Sequence, residues 1–379
     1  MIKKSISAVI LSVLTVVSTV IPVGALSREE ISAHAAVLME ASTGKILFEK
    51  NPHEKRPCAS ITKVMTLIPV FEAVESGKLK LSDQITASEH AASMGGSDIW
   101  LEPGETMSAD DMIKATVVAS ANDAAVALAE HLSGSEEAFV SQMNQKAKQL
   151  GMKDTVFKNC NGLDEEGHIT SAYDVALMSR ELIKHKKVFD YTSIWLDQLR
   201  GGKTQIVNTN KLLKSYNGIT GLKTGTTDDA GCCISATAER GGMSLIAVVL
   251  GADTGKQRFA DAAALLNSGF ADYSVVELKA PKDLPPDVKV NGGMEKSVKL
   301  SCKVGGKIVK PNATTDELQV DLDVPDEIDA PVKGQQRVGS VICRIGKETR
   351  RFPVVASEQV EKISFPRVFG ALMRSMLTM

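Results

Sequence analysis

The sequence predicts an α+β protein: one antiparallel sheet with flanking helices and a helical subdomain, then a small all-β domain and a C-terminal amphipathic helix. Three observations carry this. Apolar segments with strand-like spacing lie at both ends of residues 26–273, at 36–50 and 218–251, and bracket a middle with helical spacing. Around Tyr273 the helical spacing stops, and valine alternates with charge in 297–304 and 317–324, between Pro and Gly. From Phe365, apolar residues recur at Val368, Phe369, Leu372, Met373 and Met376, with Arg367 and Arg374 on another face. Strands drawn from both ends of a segment pack most simply as one sheet with helices against it.

Four stretches follow: 1–25, 26–273, 274–357 and 358–379. Residues 1–25 combine Lys3 and Lys4, an apolar run from Ile6 to Ile21 and the small residues Gly24 and Ala25, the pattern of a secretory signal peptide. An uncleaved anchor helix is the other reading, although the run is near the short limit for spanning. Either one exports the chain. Segments 36–40 and 45–50 read as a hairpin turned by Ala41-Ser42-Thr43-Gly44. A helix begins at Ser60 and runs to Ser76-Gly77, with a kink or break expected at Pro69.

Ser108 opens a helix through Val118, Asn122–Leu132 reads as a helix buried on most sides, and Ser135–Leu150 forms another. After a loop at 159–168, Ser171–His185 is helical again. Three strands follow at 218–224, 232–240 and 243–251, the last two joined at Arg240-Gly241-Gly242, and a helix over 257–267 closes the unit. The terminal amphipathic helix is too short to span a bilayer and suits lying in its surface; docking on protein is its alternative.

Composition narrows the function. A net charge of -2, with only ten Phe, four Tyr and two Trp, argues against nucleic acid as a partner. Six cysteines spread through the mature part form no dense framework, and Cys302 and Cys343 read equally as a pair or as buried thiols. The six histidines lack metal-ligand spacing, so no metal or other cofactor is expected.

The chemistry centres on Cys58-Ala-Ser-Ile-Thr-Lys63. A spacing of three puts Ser60 and Lys63 on one helix face. Serine is a weak nucleophile that needs an adjacent base, and lysine serves only if burial or a nearby cation lowers its pKa. Alone, this pair reads better as an N-cap serine and a solvated lysine one turn on. Two more stretches change the balance: Ser120-Ala-Asn122 before the Ala-rich helix, and Lys223-Thr-Gly225 at a strand. In this order they are the S-x-x-K, S-x-N and K-T-G set of penicillin-binding proteins and serine β-lactamases.

The chain resembles the low-molecular-mass penicillin-binding proteins, the serine-type D-alanyl-D-alanine carboxypeptidases. The resemblance takes in 38–44, Gly95-Gly-Ser-Asp98 with Glu102-Pro-Gly104, Asn161-Gly-Leu163, 223–231, Ala330-Pro-Val-Lys333 and the tail. It implies a β-lactamase/transpeptidase-like fold, exported and held at the outer face of the cytoplasmic membrane by the C-terminal helix. Its implied substrate is a peptidoglycan pentapeptide ending in D-Ala-D-Ala, with β-lactams as covalent inhibitors.

The resemblance also implies roles. Ser60 attacks, Lys63 takes its proton with help from the Lys223 cation, and Ser120 relays a proton to the leaving amine. Asn122 bonds the substrate amide and Lys63. Lys223, Thr224 and Arg258 take the terminal carboxylate, and the Ser60 and Thr226 N–H groups form an oxyanion hole. Gly225 is expected to spare the substrate strand a clash. Cys58, where the family often has a small residue or proline, raises the expectation of an oxidation-sensitive site. A β-lactamase is the nearest rival, but the Ile169-Thr170 that follows Glu165 and Glu166 breaks the expected E-x-x-L-N. A non-catalytic peptidoglycan-binding or sensor protein on the same fold is the other.

Overall fold

The structure, a computed structural model, describes residues 26–377; the 1–25 leader and residues 378–379 lie outside the described residues. Strands β1 (Ala35–Glu40) and β2 (Ile46–Lys50) form the first hairpin. Helices α1 (Lys63–Glu75), α2 (Ala109–Lys114), α3 (Asn122–Ser133), α4 (Glu136–Gln149) and α5 (Ala172–Leu182) fill the middle. A hairpin, β3 (Leu196–Leu199) and β4 (Thr204–Val207), precedes the long strands β5 (Ile219–Thr227), β6 (Gly231–Arg240) and β7 (Met243–Ala252). Helix α6 (Gly255–Asp272) then runs straight into the next strand.

The main sheet has the order β2-β1-β7-β6-β5 and is antiparallel throughout. Its two halves come from opposite ends of the catalytic segment, as the sequence pattern anticipates. β1 and β7 are buried along nearly their whole length because helices cover both faces. One apolar cluster lies between the sheet and α1, α3 and α5; a second lies between the sheet and α6. α3 is buried along most of its length, which its Ala, Val and Leu permit without steric cost.

Of the kink or break expected at Pro69, the break does not occur. α1 continues unbroken from Lys63 to Glu75 with Pro69 inside it. Proline costs one backbone bond, but the helix is so thoroughly buried that tertiary packing overrides that local cost. Ser60 also lies just outside α1, in a 3₁₀ turn over Ala59–Thr62.

Beyond α6, Tyr273–Glu277 pairs with Lys307–Pro311, and six further strands form a second sheet around two small apolar clusters. One pair in it, Asp287–Asn291 with Glu327–Asp329, is parallel. Lys45 from the first hairpin ties the two parts: its Nζ lies 2.8 Å from Glu348 and donates to the Val309 carbonyl at 3.0 Å. Cys302 and Cys343 are both free thiols. The terminal helix, α7 (Phe365–Leu377), leaves Phe365, Phe369, Met373 and Met376 exposed; the side chains of Leu372 and Arg374 are outside the described set. Among the described residues no helix is long and apolar enough to cross a membrane.

The β1–β2 turn depends on Glu40, which is fully buried. Its carboxylate accepts from the Ser42 and Thr43 amides at 3.0 and 2.8 Å and from both hydroxyls. Glu40→Ala removes the acceptor for all four donors at once. The expected loss is about 1–3 kcal/mol, read as a lower urea midpoint with an unchanged slope.

Candidate active site

The nucleophile turn is built by a backbone reversal. Ala59 takes φ 51°, a left-handed conformation, so the chain folds sharply between Cys58 and the start of α1. Ser60 is left half-buried at the helix entrance, and Lys63, the first residue of α1, is 0 % exposed. The Lys63 amine sits 2.9 Å from Ser60 Oγ, 2.5 Å from Asn122 Oδ1 and 2.6 Å from the Asn161 carbonyl. As an ammonium, Lys63 donates to all three acceptors. A neutral amine has two N–H bonds and one lone pair. In that form, N–H groups given to Asn122 and Asn161 would leave the lone pair for the Ser60 hydroxyl.

Asn122 is held from several sides. The preceding Ser120 is left-handed, with φ 62°, and nearly buried, where the chain leaves one helical segment and enters α3. The Asn122 amide donates to the Ser97 carbonyl at 2.7 Å, and Nδ2 donates to the Gly95 carbonyl at 2.6 Å. One face of its side chain therefore serves Lys63 and the other clamps the 95–98 loop. Asp123 continues the clamp by accepting from the Ile99 and Leu101 amides at 3.1 and 3.0 Å.

The Asn161 carbonyl is delivered by a tight loop. Asn159 Oδ1 accepts from the Gly162 amide, Asn161 Oδ1 from the Leu163 amide, and Thr66 on α1 donates to the Cys160 carbonyl at 2.5 Å. Gly162 has φ 86°, and a Cβ there would lie 2.9 Å from the Ser60 nitrogen, inside contact distance. Only glycine lets this backbone touch the nucleophile turn.

β5 closes the third side. A Cβ on Gly225 would fall 2.8 Å from the Cys58 carbonyl oxygen and 2.9 Å from the Ser60 nitrogen. Gly225 is thus required by the nucleophile turn itself, a constraint the sequence reading did not include. Lys223 is buried, with Nζ donating to the Thr224 carbonyl at 3.1 Å. Thr224 Oγ1 donates to Thr209 at 2.6 Å, and Thr226 Oγ1 donates to the Gly225 carbonyl at 2.8 Å. Arg258, in the first turn of α6, donates to the Gly225 carbonyl and Thr226 Oγ1 at 2.8 and 2.9 Å. The segments carrying 60–63, 120–122 and 223–226 therefore converge, with Arg258 behind them.

Burial lowers the Lys63 ammonium to about 7, against an opposing pull from Asp98 and Asp123. The Lys223 cation, expected to assist, is not the cause. Lys223 is itself held well below the ordinary lysine range by burial, by Lys63 and by Arg258. Burial is the leading cause for both amines, and only Lys223 also feels its neighbouring cations. Cys58 also departs from expectation. It is fully buried, and burial pushes its thiol up to about 12, so it is a protonated packing group and not an oxidation-prone one.

Sequence reasoning had no role for the Asn161 carbonyl, for Asp123 or for Thr209. A backbone carbonyl carries no residue-type signal, although Asn161-Gly-Leu163 is among the stretches that carry the resemblance. Among the described residues, one group, Glu72, Glu181 and His185, has donors spaced for a metal ion. It lies further along α1, and Glu72 and Glu181 are already paired with Lys146 and Lys184.

Comparison with known proteins identifies the family. Residues 23–254 match the family described as D-alanyl-D-alanine carboxypeptidase, and residues 273–362 match the penicillin-binding protein 5 C-terminal domain. The D-alanyl-D-alanine carboxypeptidase DacF of Bacillus subtilis is 43 % identical over 338 residues, covering 88 % of this chain and 87 % of that protein. Penicillin-binding protein 5 from Haemophilus influenzae superposes with a TM-score of 0.76 at 30 % identity, over 89 % of this chain and 100 % of that one. Penicillin-binding protein D2 of Listeria monocytogenes, in its ampicillin-bound form, superposes at 0.58 with 36 % identity over 63 % of this chain and 98 % of that one. With the greater part of its length inside the first family model, the chain belongs to the D-alanyl-D-alanine carboxypeptidases, followed by the C-terminal domain of penicillin-binding protein 5.

Proposed function

We propose that this D-alanyl-D-alanine carboxypeptidase works through a serine acyl-enzyme. The observation that carries the reading is the buried Lys63 amine, whose two N–H groups are taken by Asn122 and Asn161 and whose remaining valence faces Ser60. The Ser60 hydroxyl gives its proton to Lys63 as Oγ attacks the carbonyl between the two terminal D-alanines. The tetrahedral oxyanion lies between the Ser60 and Thr226 amides. Gly225 presses against the Ser60 nitrogen, so the next amide along β5 is the natural second donor.

Collapse breaks the C–N bond. The proton held by Lys63 passes through Ser120 to the departing amine, and D-alanine leaves. Water then hydrolyses the ester, returning a proton and freeing Ser60. Arg258, with Lys223 and Thr224, receives the terminal carboxylate of the substrate.

A β-lactam presents the same carbonyl and carboxylate, and the ampicillin-bound Listeria neighbour supports acylation of Ser60 by penicillins. The glutamate base with which class A β-lactamases turn over that ester is not offered by the 165–166 region: Glu165 accepts from Asn159 at 3.0 Å and Glu166 is exposed. The chain is exported and works at the outer face of the membrane, with α7 lying in the lipid surface. The row of exposed Phe365, Phe369, Met373 and Met376 supports that placement.

Three outcomes are expected. A blocked tripeptide ending in D-Ala-D-Ala releases D-alanine, and Ser60→Ala lowers kcat by at least about a thousandfold and abolishes penicillin labelling; release by this variant at the parent rate would exclude Ser60. Acylation by a fluorescent penicillin, followed from about pH 5.5 to about pH 8.5, falls on the acid side. Because the lysine pKa is lowered, the base form is present above it and lost below it, and the midpoint is expected near 7. Removing residues 359–379 abolishes flotation with anionic liposomes and leaves penicillin acylation unchanged.

A further inference from the structure

We propose that Trp100 is a stacking platform for a sugar ring of the peptidoglycan glycan, so that the site reads the polymer end of its substrate as well as the D-Ala-D-Ala end. The proposal rests on the function proposed above and adds a second recognition point to it. Trp100 is 78 % exposed, while its neighbours Ile99 and Leu101 are buried. Its backbone lies at φ 55°, a conformation that large L-residues rarely adopt without a structural cause.

The cause is visible in the hydrogen bonds on either side. Asp123 accepts from the amides of Ile99 and Leu101, and Arg200 donates to the carbonyls of Ile99 and Trp100 at 2.8 and 3.2 Å. Glu105 in turn holds the Arg200 guanidinium at 2.6 Å. The fold therefore spends a buried carboxylate and an anchored guanidinium on presenting one indole to solvent.

The platform is continuous with the catalytic cleft on two sides. The 95–98 loop that leads to Trp100 is the one clamped by Asn122. The β3–β4 hairpin carries Arg200 at its turn and leads at its base into Thr209, which bonds Thr224. A wall thus runs from the carboxylate end of the cleft to Trp100.

The occupant follows from shape and reach. With so little of it covered, Trp100 has no pocket around it that could hold a peptide side chain. A flat apolar face open to water suits a pyranose ring, whose C–H face is similarly flat, with the exposed Glu102 carboxylate nearby to accept from hydroxyls. The four stem residues between the scissile carbonyl and the glycan span roughly 13–14 Å when extended. On the protein, three polar contacts of 2.9, 2.5 and 2.7 Å lead from Ser60 through Lys63 and Asn122 to Ser97. From there the chain to Trp100 adds at most about 11 Å. With the width of the Asn122 side chain included, these steps cap the Ser60–Trp100 separation at roughly 23 Å, a ceiling within which the far end of the extended stem falls.

The test compares kcat/KM for a blocked D-Ala-D-Ala tripeptide, a free stem pentapeptide and a disaccharide-pentapeptide, in the parent, W100A and W100F. The parent is expected to prefer the disaccharide-pentapeptide over the free pentapeptide. W100A should lose that preference, on the order of threefold to tenfold, with the other two substrates unchanged, and W100F should keep most of it. Equal losses on both pentapeptides would assign Trp100 to the stem and overturn the proposal. So would a parent enzyme indifferent to the disaccharide, a result that needs no variant to fold. Penicillin labelling of Ser60 in each protein reports separately on folding and on the acyl-enzyme reading.

Discussion

A buried amine at the start of α1, whose charged form burial disfavours, is the constraint that the rest of this site serves. A lysine with no access to water gives up its hydration, and burial brings Lys63 down to about 7. The loss is tolerable because every valence of the nitrogen has a partner, one from each of three separate stretches of chain. Asp98 and Asp123 hold the value up and keep it from falling further. The base is thereby poised near neutrality, where it combines availability with proton affinity. If either acceptor moved away, an N–H would be stranded in an apolar site, and the lone pair would no longer be directed at Ser60.

That convergence sets the backbone requirements around it. Two chains approach the 58–60 turn closely enough that side chains are excluded, Gly162 from one direction and Gly225 from another, while Ala59 within the turn is left-handed. The glycine in the Lys223-Thr-Gly225 motif is therefore a packing condition before it is a binding one. The same logic explains why the 95–101 segment is so firmly tied. Asn122 and Asp123 use adjacent side chains to hold one loop, and Asn122 uses its remaining oxygen to hold Lys63. Loop position and base orientation are consequently coupled through one residue.

Much of this was legible in the sequence, and the limits have physical reasons. Ser60 and Lys63 are visible because helical spacing puts them on one face, and β5, β6 and β7 because long buried strands leave an unmistakable apolar pattern. Arg258 lies within a helix whose start the sequence places only two residues late. The β3–β4 hairpin escaped notice because its strands are short and mostly polar, and its connection is carried by tertiary bonds from Arg200 and Thr209. At Pro69 the helix does not break, because the burial of α1 outweighs the local rule. The Asn161 carbonyl and the crowding at Gly225 are backbone facts, which only the assembled structure displays.

Charge placement explains why the proposed reaction trims a chain end. Both lysines of the cleft are buried and held below their ordinary range, so neither supplies a strong permanent field in the empty site. Arg258 remains the cation there, fixed by two backbone carbonyls and standing in the first turn of an 18-residue helix whose dipole adds positive potential at that end. In the proposed reaction, a substrate that ends in a carboxylate one residue beyond the scissile bond would satisfy this guanidinium, whereas a continuing chain would bury it without a counter-charge. The arriving carboxylate would also favour the charged form of Lys223, and so raise the positive potential only when the correct end is in place. Lys63, poised near 7, gives the same cleft a base at neutral pH, so one buried site would both bind an anion and activate a hydroxyl.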